Sequence, residues 1–248
     1  MTHRVNKQAV AQAFGRAADG YERYADFQRY SGERLMALLP PSEVGSVLDA
    51  GCGTGWFSRR WREKGHQVIA LDLSPGMLAQ ARRDASAQHY LLGDIEALPL
   101  QRHSVDISWS NLAVQWCDSL AQGIRELHRV TRPGGSVLFS TLADASLHEM
   151  RSAWQALDNY QHVNTFLPET AIRGMRRTGA AAGKRNGDAA LSRCAERLTV
   201  AERHRRYPYT SGPRQRPADA STADAVAAAL AAGRAGLSPL LPTHYRSD

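Results

Sequence analysis

No stretch of this chain comes near the roughly 18 consecutive apolar residues that a membrane-crossing helix requires, so no membrane span is expected. The opening Met1-Thr2-His3-Arg4-Val5-Asn6-Lys7 carries basic residues but no apolar core behind them, which predicts no secretory signal. Cysteine is scarce. Cys52, Cys117 and Cys194 stand at unrelated spacings, excluding a disulfide framework and a zinc site, so a reducing cytoplasm and no metal are expected. Bulky side chains are missing from the last part of the chain: all five Trp and all five Phe lie at or before Phe166, and after Ile172 there is no Ile, Phe or Trp.

Acidic charge is also unevenly spread. The 248 residues carry a formal net charge of +7, but residues 173–248 hold 14 of the 31 Lys+Arg and only 6 of the 24 Asp+Glu. Residues 1–172 are left with 17 basic and 18 acidic side chains. The basicity belongs to the tail, whereas a phosphate-binding face needs clustered charge on the folded domain. No nucleic-acid partner is expected.

What is present begins with Val47-Leu48-Asp49-Ala50-Gly51-Cys52-Gly53-Thr54-Gly55, an apolar strand that breaks into a glycine-rich turn before a helix at Trp56-Phe57-Ser58. Gly51, Gly53 and Gly55 permit positive φ and keep side chains out of the space between loop and ligand. Alone, the spacing is a weak signal. A second strand, Val68 to Leu71, ends in Asp72, 19 residues beyond Gly53. A βαβ unit sets such a carboxylate beside the turn, where it accepts hydrogen bonds from a ribose diol. NAD and S-adenosylmethionine both satisfy that geometry. Two further acids favour the second. Asp49 precedes the glycines, where it meets an ammonium, and a third strand, His89–Leu92, ends in Gly93-Asp94-Ile95-Glu96, an acid and an apolar residue suited to an adenine amine and ring face. The alternative is that Asp72 and Asp94 only cap the helices that follow them.

Elements alternate along the rest of the first 172 residues. Helical periodicity covers 5–39 until Pro40-Pro41 stops it. Strands are predicted at Ser46–Asp49, Val68–Asp72, His89–Leu92, Val105–Ser110 and Ser136–Thr141, the last entered through the turn Pro133-Gly134-Gly135. Helices fall near Trp56–Lys64, from Ser74-Pro75 to about Asp84, and over Leu120–Val130. Short connections between alternating strands and helices mean a mostly parallel, doubly wound α/β sheet.

These residues resemble the class I S-adenosylmethionine-dependent methyltransferases. The resemblance narrows to the malonyl-[acyl-carrier protein] O-methyltransferases of biotin synthesis through Val5-Asn6-Lys7-Gln8, Phe14-Gly15-Arg16-Ala17-Ala18, Tyr21, Leu71-Asp72-Leu73-Ser74-Pro75, Gly93-Asp94-Ile95-Glu96 and Ser110-Asn111-Leu112-Ala113-Val114-Gln115-Trp116. It runs from about Val5 to Ile172. It implies a Rossmann-like methyltransferase domain over 1–172, with 1–40 as a helical lid and 41–172 as the cofactor-binding core. It implies S-adenosyl-L-methionine as cofactor and, as partner, an acyl-carrier protein bearing a malonyl thioester, or malonyl-CoA. In the cofactor site Asp49 and Gly51, Gly53 and Gly55 would hold the methionine part. Asp72 and Leu73 would hold the ribose, and Asp94 and Ile95 the adenine. Asn111 and Tyr21 would serve the transfer region, with a turn-forming Asn and a core tyrosine as the alternatives. Arg16 would pair the substrate carboxylate. A quinone-pathway C-methyltransferase and a truncated, non-catalytic cofactor-binding protein are the competing readings.

Methyl transfer to an ionised carboxylate needs positioning more than a base. That agrees with the scatter of His66, His89, His103 and His128, each expected at the surface or in packing. Trp109, Trp116 and Trp154 are expected in the core, and Cys52 as a small loop residue. Residues 173–248 do not continue the pattern. The family closes its sheet with two more strands, but here alanine supplies 17 of 76 residues and no alternating apolar run occurs. This predicts a basic Ala/Arg-rich tail that replaces the last strands, arising from a reading-frame shift between about Ile172 and Arg177 in a GC-rich gene. A natural disordered tail is the alternative.

Overall fold

Val47, Leu48 and Ala50 are wholly buried because their strand is covered on both faces and flanked on both edges. This strand, β1 (Ser46–Ala50), pairs in parallel with β2 (Gln67–Asp72) on one side and β4 (Val105–Asn111) on the other. The sheet is completed by β3 (His89–Leu92) beyond β2 and β5 (Thr131–Ser140) beyond β4, in the order β3-β2-β1-β4-β5. The chain thus winds outward one way and then returns to wind the other. That reversal opens a crevice at the carboxyl ends of β1 and β4. The computed structural model describes residues 5–39, 44–157 and 164–181.

Strand parity assigns the two layers. Leu48, Ala50, Leu71 and Phe139 pack against α5 (Leu120–Val130) and α7 (Glu169–Ala181), whose Ile124, Leu127 and Ile172 fill that core. Val47, Val68, Ala70 and Trp109 point the other way, against Leu35 of α2 (Asp26–Met36), Phe57 and Trp61 of α3 (Trp56–Glu63) and Leu78 of α4 (Pro75–Arg83). Trp109 has no exposure and stands with Phe57 and Trp61 at ring-centre distances of 5.5 and 5.4 Å, so it is a core residue as expected. Trp154, on α6 (His148–Gln155), packs with Leu142 and Phe166, and Trp116 lies edge-on to Phe14.

Two expectations change in detail. The amino-terminal periodicity is not one helix: α1 (Lys7–Ala17) and α2 are separated by a 3-10 segment over Ala18–Tyr24. Asp19-Gly20 is a poor continuation of an α-helix, and the break carries Tyr21 and Glu22 to the crevice. The turn Pro133-Gly134-Gly135 is a bulge inside β5 rather than a lead-in, because Val105 pairs with Thr131 while Ile107 already pairs with Ser136. Elsewhere the expected ends hold to within a residue, and Ser74 caps α4 with Pro75 at its first position.

Helix α1 docks at the end of β2, on the start of α4, because two backbones can touch there. A Cβ on Gly76 would lie 2.7 Å from Gly15 Cα, so α1 crosses the start of α4 only with glycine at that contact. At the other end of the chain, residues 173–181 complete α7, and Met175 packs on the same core as Ile172. The expected tail beyond residue 181 lies outside the described residues, whereas the onset expected for the reading-frame shift, between about Ile172 and Arg177, falls within α7. Among the described residues no helix is long and apolar enough to cross a membrane, and no group of His, Cys, Asp and Glu is placed to hold a metal ion.

Candidate active site

The loop after β1 is built by its glycines in two different ways. Gly51 has φ +81°, and a Cβ there would stand 2.2 Å from that of Ala113, so the loop is pressed against the chain after β4. Gly53 has φ +55° and nothing within 4 Å of where its Cβ would be. That vacant side is what a ligand needs. The Gly53 N–H donates to Asp72 Oδ2 at 2.8 Å, and the Ser74 N–H donates to Asp72 Oδ1, also at 2.8 Å. Asp72 is thereby fixed at the tip of β2 beside the open glycine. Each of its oxygens keeps a second lone pair, so it can still accept from a diol. Burial raises its pKa, opposed by those backbone donors.

Asp49 shares the parity of Val47 and therefore faces α3, where Ser58 donates its hydroxyl to Oδ2 at 2.6 Å. It is 2 % exposed. Burial pushes its carboxyl up to about 7; the Ser58 hydrogen bond works against this and the charge of Asp72 adds to it. A buried carboxylate raised by burial and by a neighbouring carboxylate favours a cationic ligand. The cleft, about 480 Å³ and open to solvent, is lined by Asp49, Gly51–Thr54, Trp56 and Phe57 from the sheet side, by Trp109 and Asn111 from β4, and by Tyr21, Glu22, Gln28 and Arg29 from the amino-terminal helical segment.

The family profile described as a methyltransferase domain matches residues 48–139. A malonyl-[acyl-carrier protein] O-methyltransferase of Pectobacterium atrosepticum is 60% identical over 172 residues, 69% of this chain and 68% of that protein. A protein of the same name from Salmonella typhimurium is 58% identical over 168 residues, 68% of this chain and 67% of the relative. The chain belongs to the malonyl-[acyl-carrier protein] O-methyltransferase family. Among solved structures, the methyltransferase bound to the Trm112 methyltransferase activator of Haloferax volcanii superposes with a TM-score of 0.56 at 25% identity, covering 72% of this chain and 77% of that one. An S-adenosylmethionine-dependent methyltransferase of Thermotoga maritima, 20% identical, shares the fold with a TM-score of 0.54 over 68% of this chain and 80% of its own.

In this methyltransferase the expected residues divide into those the fold gathers and those it does not. Asp49, Gly51, Gly53, Tyr21 and Asn111 line one cleft. Gly55, at φ +83°, is the positive-φ residue that starts α3, and a Cβ there would meet Ser86, so it shapes the turn from behind. Asp94 and Ile95 follow β3. Ile95 is 8 % exposed and its Cδ1 comes within 3.7 Å of the Gly51 Cβ position, so it backs the same loop. Leu73 is half-buried between Asp72 and the α4 cap. Arg16 is not among the lining residues; it lies on α1, one residue past the crossing with α4.

Other side chains hold the amino-terminal helices in place. Asn111 donates from Nδ2 to the Gln28 carbonyl at 2.9 Å and accepts the Ser140 hydroxyl on Oδ1 at 2.8 Å, so it straps α2 to β4 and β5. The Tyr21 hydroxyl oxygen accepts from the Gln28 side-chain amide; burial first and the Asp72 charge second raise its pKa by more than that hydrogen bond lowers it, so it stays a protonated phenol. Glu22 accepts from the Thr54 hydroxyl at 2.9 Å and from Arg59 at 3.0 Å, tying the 3-10 segment to the glycine loop and α3. Lys7 was missed as a site residue. Its ammonium reaches Asp94 at 2.5 Å and also Glu96, which places a cation directly on the expected adenine acid. Burial lowers its pKa, but the hydrogen bonds and charges of both acids together raise it. The sequence carries no local signal for it, because Lys7 and Asp94 stand 87 residues apart. Cys52 is buried, and burial, then Asp72 and Asp49, push its thiol well up, so it is no nucleophile. His66 is buried at the Gly45 backbone and His128 is lowered by burial, both packing roles as expected.

Proposed function

We propose that this chain transfers a methyl group from S-adenosylmethionine to the free carboxylate of a malonyl thioester carried by an acyl-carrier protein or coenzyme A, in the synthesis of biotin. Family membership supplies the reaction class, and one observation carries the local assignment: Asp49, next to last in β1, lines the cleft with an open, side-chain-free Gly53 whose N–H is held by Asp72 at the tip of the adjacent β2. The residues present fit the cofactor. Its bound form supplies an electrophilic methyl on a sulfonium. In this reading Asp49 accepts the ammonium of the methionine part, Gly51 and Gly53 let the backbone lie against it, Asp72 accepts the ribose hydroxyls, and Asp94 with Ile95 takes the adenine. Residues 1–172 are the working unit, with 1–40 as the lid and 41–172 as the core.

The rest of the chemistry is exclusion and aim. A malonyl carboxylate is ionised at neutral pH, so no group has to remove a proton from it. Among the described lining residues there is no histidine, and Cys52 and Tyr21 are held in their protonated forms. C-methylation of a quinone ring would need a base to strip a proton, which argues for the carboxylate acceptor. Asn111 and Glu22 hold the lid against the cleft, which keeps the reacting groups in near-attack geometry away from water. Methylation removes the carboxylate charge, so the product presents an apolar end where the substrate presented an anion.

The test is transfer of an isotope-labelled methyl group from S-adenosylmethionine to malonyl-[acyl-carrier protein] by the full chain. A base-labile methyl ester on the malonyl group is expected. Label appearing instead on a quinone precursor, with none on the thioester, would defeat the reading.

A further inference from the structure

Arg29 enters the cleft from α2, opposite Asp49 at the end of β1, and among the described residues that line this cleft it alone carries a positive charge. Its guanidinium is held in place from three directions. Nη1 donates to the Glu22 carbonyl at 2.7 Å, Nη2 donates to Asp26 Oδ1 at 2.5 Å, and Cζ lies 5.1 Å from the centre of the Trp56 ring. A guanidinium has five N–H donors, so the fork keeps capacity beyond these two bonds. The Asp26 side chain is 90% exposed and sits three residues away on the same helix. An ion pair of that kind contributes little in water and yields readily to a better-placed carboxylate.

Arg59 makes the contrast. It also stands over Trp56, at 5.6 Å, but it is divided between Glu22 at 3.0 Å and Asp84 at 3.2 Å and does not line the cleft. Arg29 therefore has what Arg59 lacks: access, a fixed plane and spare donors. An arginine stacked on an aromatic ring and anchored to a carbonyl is a preformed bidentate fork for a carboxylate.

We propose that Arg29 is the carboxylate receptor of this cleft, an inference that rests on the methyl-transfer reading for the identity of its ligands. Two participants in that reaction bring a carboxylate here. One is the amino-acid end of the cofactor, whose ammonium meets Asp49. The other is the malonyl acceptor. Both are read by the same fork, and paired ligands with and without the carboxylate tell them apart.

The experiment uses the full chain with Arg29→Gln and Arg29→Lys. Calorimetry compares S-adenosylmethionine with its decarboxylated form. With S-adenosylhomocysteine saturating, it also compares malonyl-pantetheine with its methyl ester. Arg29→Gln is expected to weaken a carboxylate-bearing ligand by about 10- to 100-fold, leave its carboxylate-free counterpart unchanged, and be partly rescued by Arg29→Lys, which keeps charge without the fork. Loss confined to S-adenosylmethionine assigns the fork to the cofactor, and loss confined to malonyl-pantetheine assigns it to the acceptor. Unchanged affinity for both, or equal losses with and without a carboxylate, overturns the proposal. A wild-type chain that binds neither ligand removes the methyl-transfer reading and this inference together, which is a different result from a binding wild type with an indifferent Arg29→Gln.

Discussion

Asp49→Asn should make the ligand-free protein more stable as pH rises, at the expense of cofactor affinity. The folded pKa of Asp49 is raised to about 7, chiefly by burial, from an ordinary carboxylate value of 3.8. Between those values the folded state binds more protons than the unfolded state, so stability falls as pH rises through the window and levels off above about 7. With a folded pKa near 7, the penalty for ionising Asp49 grows by about 2–3 kcal/mol between about pH 5 and pH 8. Asn cannot ionise and escapes that increment. It also brings an amide N–H2 that needs acceptors, at a cost of about 1–3 kcal/mol that does not change with pH. The absolute stability difference therefore mixes two effects, while its pH dependence isolates one. Urea unfolding followed by tryptophan fluorescence, with Trp109 beside the site as reporter, gives the difference at each pH. It should move in favour of Asp49→Asn by about 2–3 kcal/mol between about pH 5 and pH 8. A difference that stays flat over this window would show that Asp49 is ionised throughout, and the account of a cleft that awaits a cation would be wrong.

Three further outcomes are expected. Asp72→Ala should weaken S-adenosylmethionine binding by about 1–3 kcal/mol, the scale of hydrogen bonds to a charged acceptor, and calorimetry that finds wild-type affinity would reject the ribose assignment. Gly51→Ala and Gly53→Ala should separate fold from function: both incur about 1–2 kcal/mol for a side chain at positive φ. Gly51→Ala should unfold at clearly lower urea because its methyl would meet Ala113, whereas Gly53→Ala should remain folded and lose ligand affinity. Lys7→Met should cost about 1–3 kcal/mol at neutral pH, since it leaves Asp94 and Glu96 facing each other. Because the Lys7 pKa is raised, its contribution is complete below the unfolded value and is lost only at alkaline pH. A neutral-pH stability equal to wild type would mean that the pair is solvated and inert.

Much of the site was legible because its chemistry is local. Glycines at 51, 53 and 55 and acids at the ends of three consecutive strands are consequences of chain order in a βαβ unit, where each strand delivers its last residue to the same edge. The strand ends could be read closely for the same reason: runs such as Val68 to Leu71 are apolar throughout because both faces of a parallel strand are buried. The amino-terminal helices were less legible. Their periodicity looked continuous across Asp19-Gly20, and only packing on α4 through Gly15 and Gly76 shows where it breaks and which residues the break delivers.

Side-chain roles that depend on contacts across long sequence separation were out of reach of the sequence. Arg16, expected as the carboxylate partner from its place on the amino-terminal helical segment, is not among the residues that line the cleft, while Arg29, one helix later, is. Asn111 looked like a substrate group and is occupied by Gln28 and Ser140. The sequence by itself determined the sheet, its order of acids and the reaction family, because those follow from periodicity and from one turn's backbone requirements. Tertiary structure alone decided the rest: that Asp49 is buried enough to hold its proton near neutrality, that Lys7 sits on Asp94, and that among the described residues Arg29 is the arginine that lines the cleft. Burial, charge pairing and access are properties of what surrounds a group in space, and the residues that surround these come from segments tens of positions away along the chain.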